Sequence, residues 1–170
     1  LYQAIYGINP LYNRFYLNPH ITSELAGTEL KYNYQGQKLT IGLGMNQYSV
    51  ANDKYKITAG EDFGFSGVGN QLAYFSGDNA TASLIAKTDG STKISLNIKN
   101  WSDEEMAWTQ SSSDKPTKNL VYTINKLMRN SYYSVNSNGK TMRIKSNVDG
   151  VIVFNGKTGI SENDIAIRRG

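Results

Sequence analysis

Hydrophobic and polar residues alternate along much of the chain, and the period is two residues. Every second position of 30–34 and of 39–43 is apolar, and the positions between them are mostly polar. Such alternation puts the apolar side chains on one face of a β-strand and the polar ones on the other. Because residues 35–37 read Gln-Gly-Gln and interrupt the run, the pattern predicts a β-hairpin over 30–43.

The same period returns in short runs of the second half of the chain, such as 94–98 and 120–124. Asn-Gly and Asp-Gly dipeptides, which are typical of tight turns between strands, separate these runs. They occur at Asp89-Gly90, Asn138-Gly139, Asp149-Gly150 and Asn155-Gly156. The sequence therefore predicts an all-β protein, an antiparallel β-sandwich of the jelly-roll or immunoglobulin-like type.

The first residues of the chain have a helical spacing instead. Leu1, Ala4, Ile5 and Ile8 lie at i, i+3, i+4 and i+7, and Pro10 would end a helix there. A segment this short does not form a stable helix by itself. We interpret it as the remnant of a helix that continues upstream, and a disordered end is the alternative.

Two stretches lack any period. Residues 59–70, AGEDFGFSGVGN, are rich in glycine and do not have the order of a phosphate-binding loop, so we expect a flexible connection. This expectation divides the chain into a junction helix and hairpin region over 1–58 and a β-sandwich over 59–170, although one continuous β domain is also compatible. The second stretch, 102–119, opens on a Ser-x-x-Glu capping box and is expected to hold at most one helical turn.

Composition excludes several classes of function. The chain of 170 residues has no cysteine and a single histidine, His20, so disulfide scaffolds and thiolate metal sites are excluded, and no cofactor or metal site is predicted. No apolar run reaches the roughly 20 residues that a membrane helix needs. The compartment stays open, with an extracellular or periplasmic location in a bacterium favoured.

The positive charge does not indicate a nucleic-acid reader. The formal net charge is +4, but the lysines are scattered along the strands rather than clustered. Lys93, Lys99, Lys140 and Lys145 occupy the polar positions of predicted strands. We therefore expect solvated strand faces and no nucleic-acid partner.

A more specific spacing occurs in LMRNSYYSV, where Leu127 precedes Tyr133 by six residues and Val135 by eight. This spacing resembles the tyrosine corner of fibronectin type III and immunoglobulin-like domains. The resemblance implies that the Tyr133 ring fills the core while its hydroxyl bonds the backbone nearby. Its implication concerns packing and not function.

The stretch from Tyr6 to Ile41 resembles a junction found in maltose and kojibiose phosphorylases and related glycosidases, where an (α/α)6 barrel passes into a C-terminal β domain. The pattern is G-I-x-P-x-x-x-x-L-x-I-x-P-x-I-P, followed by L-x-G-x-x-x-x-x-Y-x-G-x-x-Y/L-x-I. This sequence has Thr22 at the last Pro of the first part. The matching residues are Gly7, Ile8, Pro10, Leu17, Asn18, Pro19, Ile21, Leu25, Gly27, Tyr34, Gly36, Leu39 and Ile41.

This resemblance implies that the chain is a non-catalytic C-terminal β region of a larger glycoside hydrolase or phosphorylase. In that family the catalytic carboxylates lie in the upstream barrel, and none of them maps onto this chain, so no catalytic residue is predicted. The implied partner is the upstream catalytic domain of the same polypeptide. We expect the apolar face of the 30–43 hairpin to be the surface that docks on it.

A carbohydrate-binding module is the alternative function. Sugar rings stack on aromatic side chains while their hydroxyls bond polar groups, and 12 Tyr and two Trp suit such a surface. Trp101 and Trp108 flank a segment expected to be a loop, with Asp103 and Gln110 as polar neighbours, so these four residues are the candidate site for an oligo- or polysaccharide. A self-contained hydrolase is the third hypothesis, and it would need a carboxylate pair assembled by the fold.

Overall fold

The computed structural model describes residues 8–10, 15–17, 26–34, 36–77 and 82–170. These residues form strands and turns without a helix, so the predicted all-β class is confirmed. The predicted helix over the first seven residues lies outside the described part, and the eighth, Ile8, begins a strand. His20 also lies outside the described residues.

Sixteen strands are present in the described residues. Their bounds are β1 Ile8–Pro10, β2 Phe15–Leu17, β3 Thr28–Tyr34, β4 Gln37–Leu43, β5 Tyr48–Ala51, β6 Tyr55–Ala59, β7 Phe63–Val68, β8 Gln71–Ser76, β9 Ser83–Lys87, β10 Ile94–Trp101, β11 Glu105–Ser112, β12 Val121–Asn125, β13 Tyr132–Ser137, β14 Lys140–Lys145, β15 Ile152–Asn155 and β16 Asn163–Arg169.

The strands form two sheets. One has seven strands in the order β1-β2-β7-β8-β9-β12-β15, and the other has nine in the order β14-β13-β16-β11-β10-β6-β5-β4-β3. Neighbouring strands are antiparallel except for β6 and β10, which pair in parallel with Tyr55 opposite Ile94. The inward faces of both sheets contribute to one buried cluster, as expected for a β-sandwich.

Each half of the chain supplies one end of both sheets. Strands β1 to β8 form one end and β9 to β16 the other, and the halves join where β8 pairs with β9 and β6 pairs with β10. A single hydrophobic cluster contains buried residues from both halves of the chain, from Leu17 to Ile167 in sequence order. Residues on both sides of position 58 therefore share a sheet and a core.

The glycine-rich stretch 59–70 is not a flexible connection, and that prediction is wrong. Residues 63–68 form β7, which pairs with β2 and β8, and Phe63 and Phe65 are buried in the core. Gly64, between the two phenylalanines, is buried as well. A glycine in place of a polar side chain interrupts the alternation of apolar and polar residues that indicates a strand. The sequence pattern therefore does not reveal β7.

The predicted hairpin over 30–43 is confirmed as β3 and β4, joined at Gly36 with φ +77°. Its apolar face does not serve as an external docking surface, however, because Leu39, Ile41 and Leu43 are all buried in the chain's own core. The polar and charged positions, such as Lys31, face outward. The expectation that this apolar face covers a neighbouring domain is therefore wrong.

The four glycine dipeptides do not all make hairpins. Asn138-Gly139 connects β13 to β14 with φ +52° and +84°, as a two-residue hairpin turn requires. Asp89-Gly90 and Asp149-Gly150 instead lead from one sheet to the other. A glycine with positive φ suits either kind of reversal, so the local sequence does not distinguish them.

The predicted packing of Tyr133 is confirmed. Its ring is buried, and its hydroxyl oxygen accepts a hydrogen bond from the Met128 backbone N–H at 3.1 Å. Leu127 and Val135, the two other residues of the spacing, are buried in the same core. This contact ties the β12–β13 connection to the sandwich.

Candidate functional site

The segment between the two tryptophans is a β-hairpin and not a loop. Strands β10 and β11 pair directly, and only residues 102–104 form the turn. The Ser102 hydroxyl oxygen accepts the backbone N–H of Glu105 at 3.1 Å, and the Ser102 N–H donates to the Glu105 carbonyl at 2.9 Å. The capping spacing thus closes a strand turn, and the expected helical turn is absent from this segment.

A β-bulge decides where Trp101 points. Ile98 lies opposite Trp108, but the next pair is Asn100 with Ala107, so Lys99 is the extra residue. Strict alternation would place Trp101 on the polar face of β10, whereas the bulge returns it to the core side. The sequence pattern gives no sign of this change of face.

The Trp101 ring is held in a fixed orientation. Its indole N–H donates to the Ala82 carbonyl at 2.8 Å, and its ring meets Tyr74 edge-on at a centroid distance of 5.0 Å. The Trp108 ring lies at 5.9 Å on the core side. Trp101 is half-buried, so part of the ring remains at the surface.

Trp108 and Gln110 do not belong to a surface site, and this part of the prediction is wrong. Trp108 is 1% exposed and Gln110 is 0% exposed, because β11 is a central strand of the nine-stranded sheet. The Gln110 amide accepts a hydrogen bond from the Tyr122 hydroxyl and donates to the Lys157 carbonyl at 3.1 Å. Burial raises the pKa of Tyr122, so its hydroxyl stays protonated and serves this internal network.

Asp103 lies beside Trp101, as predicted. Its carboxylate accepts a hydrogen bond from the backbone N–H of Ala82 at 3.2 Å. Ala82 therefore bonds Asp103 through its N–H and Trp101 through its carbonyl. Asp103 is exposed. The structure therefore brings two of the four candidate residues together and places the other two in the core.

Trp101 borders an open groove of about 570 Å³ at the point where the two halves of the chain meet. The connection from β6 to β7 forms one wall and the end of β10 forms the other. We call this the junction groove; the polar and aromatic residues that border it are Glu61, Tyr74, Lys99, Asn100, Trp101, Ser102 and Glu105. Glu61 and Tyr74 come from the first half of the chain, and no pattern in the sequence links them to Trp101.

The junction groove is bordered by three charged residues, Glu61, Lys99 and Glu105. Glu105 forms an ion pair with Arg168 at 3.1 Å. Among the described residues, the carboxyls with displaced pKa values are those of Asp89 and Asp114, which border other loops. Hydrogen bonds from Ser91 and Asn119 lower the pKa of Asp89 to about 2, and a bond from Thr92 lowers that of Asp114. A general acid for glycoside hydrolysis needs a pKa shifted in the opposite direction.

No known family, curated protein or solved structure matches this chain. Within the described residues, no three His, Cys, Asp or Glu side chains are arranged to hold a metal ion. Nor do those residues include a helix long and apolar enough to cross a membrane. The geometry of the site itself is therefore the basis for any functional assignment.

Proposed function

We propose that this chain is a non-catalytic β region of a larger carbohydrate-active enzyme and packs against an upstream catalytic barrel. The observation that carries this proposal is how the stretch resembling a barrel-to-β junction folds. Strand β1 begins at Ile8, β1 pairs with β2 and β2 pairs with β7, so the stretch enters the seven-stranded sheet at once. A domain attached there would be joined to the sandwich closely rather than through a long linker.

The hairpin that ends the same stretch supports this view. Strands β3 and β4 contribute Leu39 and Ile41 to the shared core, so the resembling residues are an integral part of the sandwich. In this proposal the reaction takes place in the upstream domain.

The test compares the 170 residues with a polypeptide extended upstream by the coding sequence. Glycoside hydrolysis and phosphorolysis are measured for both proteins on a panel of disaccharides. We expect turnover only in the extended protein, because the barrel would supply the general acid and its partner carboxylate. Turnover of a sugar by the 170 residues alone would overturn the proposal.

A second candidate function is sugar binding in the junction groove. The specific observation is the surroundings of the partly exposed Trp101 ring. Its contact with Tyr74 and its hydrogen bond to Ala82 hold the ring in place. Asn100, Ser102 and Glu61 lie beside it in the groove. A fixed aromatic surface with amide, hydroxyl and carboxylate groups at its edge is the arrangement that a neutral sugar requires.

Replacing Trp101 with alanine should weaken binding to neutral polysaccharides by at least roughly tenfold, because the stacking surface is lost. Affinity electrophoresis on soluble glucans and mannans measures this change. Glu61→Ala is a second variant that leaves the core intact, and Val153→Ala removes an exposed apolar side chain outside the groove as a control. Equal mobility of wild type and Trp101→Ala on every neutral polysaccharide would count against this function, provided that circular dichroism shows both proteins folded.

A further inference from the structure

A second polar surface lies on the outer face of the nine-stranded sheet, at its β14 edge. Lys145 lies directly opposite Tyr132, and Arg143 lies opposite Ser134, which in turn lies opposite Arg168. Residues paired in this way project from the same side of a sheet. We call this surface the cationic face; it consists of Tyr132, Ser134, Arg143, Lys145 and Arg168.

Tyr132 is the aromatic centre of the cationic face. It is 44% exposed, in contrast to the neighbouring Tyr133, which faces the core. The Arg143 guanidinium carbon lies 4.0 Å from the Tyr132 ring centroid, and the Lys145 ammonium lies 5.7 Å from it. Both distances are within the range of a cation–π contact, so the ring fixes the two cations in place.

The positive charge of this face is only partly neutralised within the described part of the chain. Arg168 pairs with Glu105 at 3.1 Å. None of the ion pairs formed by the described residues includes Arg143 or Lys145. Two cations that are already oriented by Tyr132 would lose little further freedom on binding an anion.

The dimensions of the face suit a chain-like ligand. The row from Arg143 through Ser134 and Arg168 to Glu105 crosses four adjacent strands. With strands about 4.8 Å apart, this row extends for about 14 Å. The surface is a sheet face rather than a deep pocket, so it can contact a linear polymer along its length.

We propose that the cationic face binds an anionic glycan, a polysaccharide whose sugars carry carboxylate or sulfate groups. The C–H face of a sugar ring would contact the exposed part of Tyr132, and the anionic groups would bond Arg143 and Lys145. Nucleic acid is a poorer fit, because non-specific nucleic-acid binding depends on many phosphate contacts and this face offers few cations. The surface differs from the junction groove and binds its ligand independently of the proposed function.

The experiment uses two pairs of polymers that differ only in charge: polygalacturonate against its methyl ester, and dextran sulfate against dextran. We expect tighter binding of at least one charged polymer than of its neutral counterpart, measured by affinity electrophoresis and calorimetry. The Arg143→Gln/Lys145→Gln variant should weaken that binding roughly tenfold or more, and added salt should weaken it for the wild type. Polygalacturonate and dextran sulfate together distinguish carboxylate from sulfate recognition.

A matched control lies on the same strand. Lys140 is exposed on the opposite side of β14 from Lys145, so Lys140→Gln makes the same change of charge on the other face. We expect Lys145→Gln to weaken binding and Lys140→Gln to leave it nearly unchanged. The proposal is overturned if Lys145→Gln weakens the binding of charged polymers no more than Lys140→Gln does, or if single-stranded DNA binds more tightly than either charged glycan. It is also overturned if Trp101→Ala, which lacks the stacking surface of the junction groove, binds neutral polymers as tightly as charged ones. Binding of neutral polysaccharides tests the junction groove, and binding of charged ones tests the cationic face. Either hypothesis can therefore be rejected without the other.

Discussion

Replacing Trp108 with alanine will destabilise the protein by about 3–5 kcal/mol, as is typical for removing a fully buried tryptophan. The ring lies at the centre of the core, with centroid distances of 5.9 Å to Trp101, 5.1 Å to Tyr122 and 6.4 Å to Phe154. Guanidinium chloride unfolding, followed by circular dichroism, measures the effect.

Tyr132→Ala is the control for the loss of Trp108. Tyr132 is also an aromatic residue of the nine-stranded sheet, but it is exposed, so its removal should cost less than about 1 kcal/mol. If both variants unfold at the same denaturant concentration, Trp108 does not have the central position described above. Retained stability in Trp108→Ala would also reopen its assignment to a surface site.

Replacing Gly150 with alanine will cost about 2–5 kcal/mol, the sum of a backbone penalty and a steric one. Gly150 has φ +73°, a conformation that costs an L-residue about 1–2 kcal/mol. A methyl group there would also overlap the backbone carbonyl of Leu127. The chain is fixed at this point, because the Leu127 N–H donates to the Gly150 carbonyl at 2.9 Å.

Gly139→Ala separates the two penalties. Gly139 has φ +84°, but a methyl group there would have no atom within 4 Å. This variant should therefore lose only the backbone contribution of about 1–2 kcal/mol. Thermal or chemical unfolding of both variants tests the difference, and equal losses would show that the contact between Gly150 and Leu127 does not restrict this position.

Features specified by adjacent residues could be predicted from the sequence. The sequence predicts the β3–β4 and β13–β14 hairpins because the two strands of each, and the turn between them, are consecutive along the chain. The Tyr133 contact was also recognised, because its hydroxyl bonds the backbone five residues earlier. In each case the partners lie within about one hairpin length, so the spacing along the chain determines the contact.

Features that depend on distant pairing could not be predicted. The sequence predicts a tight turn between paired strands at Asp89-Gly90, yet β10 pairs with β6, about 40 residues earlier, as Ile94 opposite Tyr55 shows. The alternation of apolar and polar residues in β10 does not reveal the bulge at Lys99 either. For the same reason half of the candidate site was misplaced. Trp101 and Asp103 lie together, whereas Trp108 and Gln110 follow the core face of a central strand.

The two strand pairs that join the halves of the chain, β8 with β9 and β6 with β10, leave strand edges exposed during synthesis. When the first half has left the ribosome and the second has not, β6 is paired with β5 and β8 with β7, but the other edge of each strand has no neighbour. Unpaired strand edges of this kind invite association with other chains. The rate at which the second half arrives thus governs how long each newly made molecule stays vulnerable to aggregation.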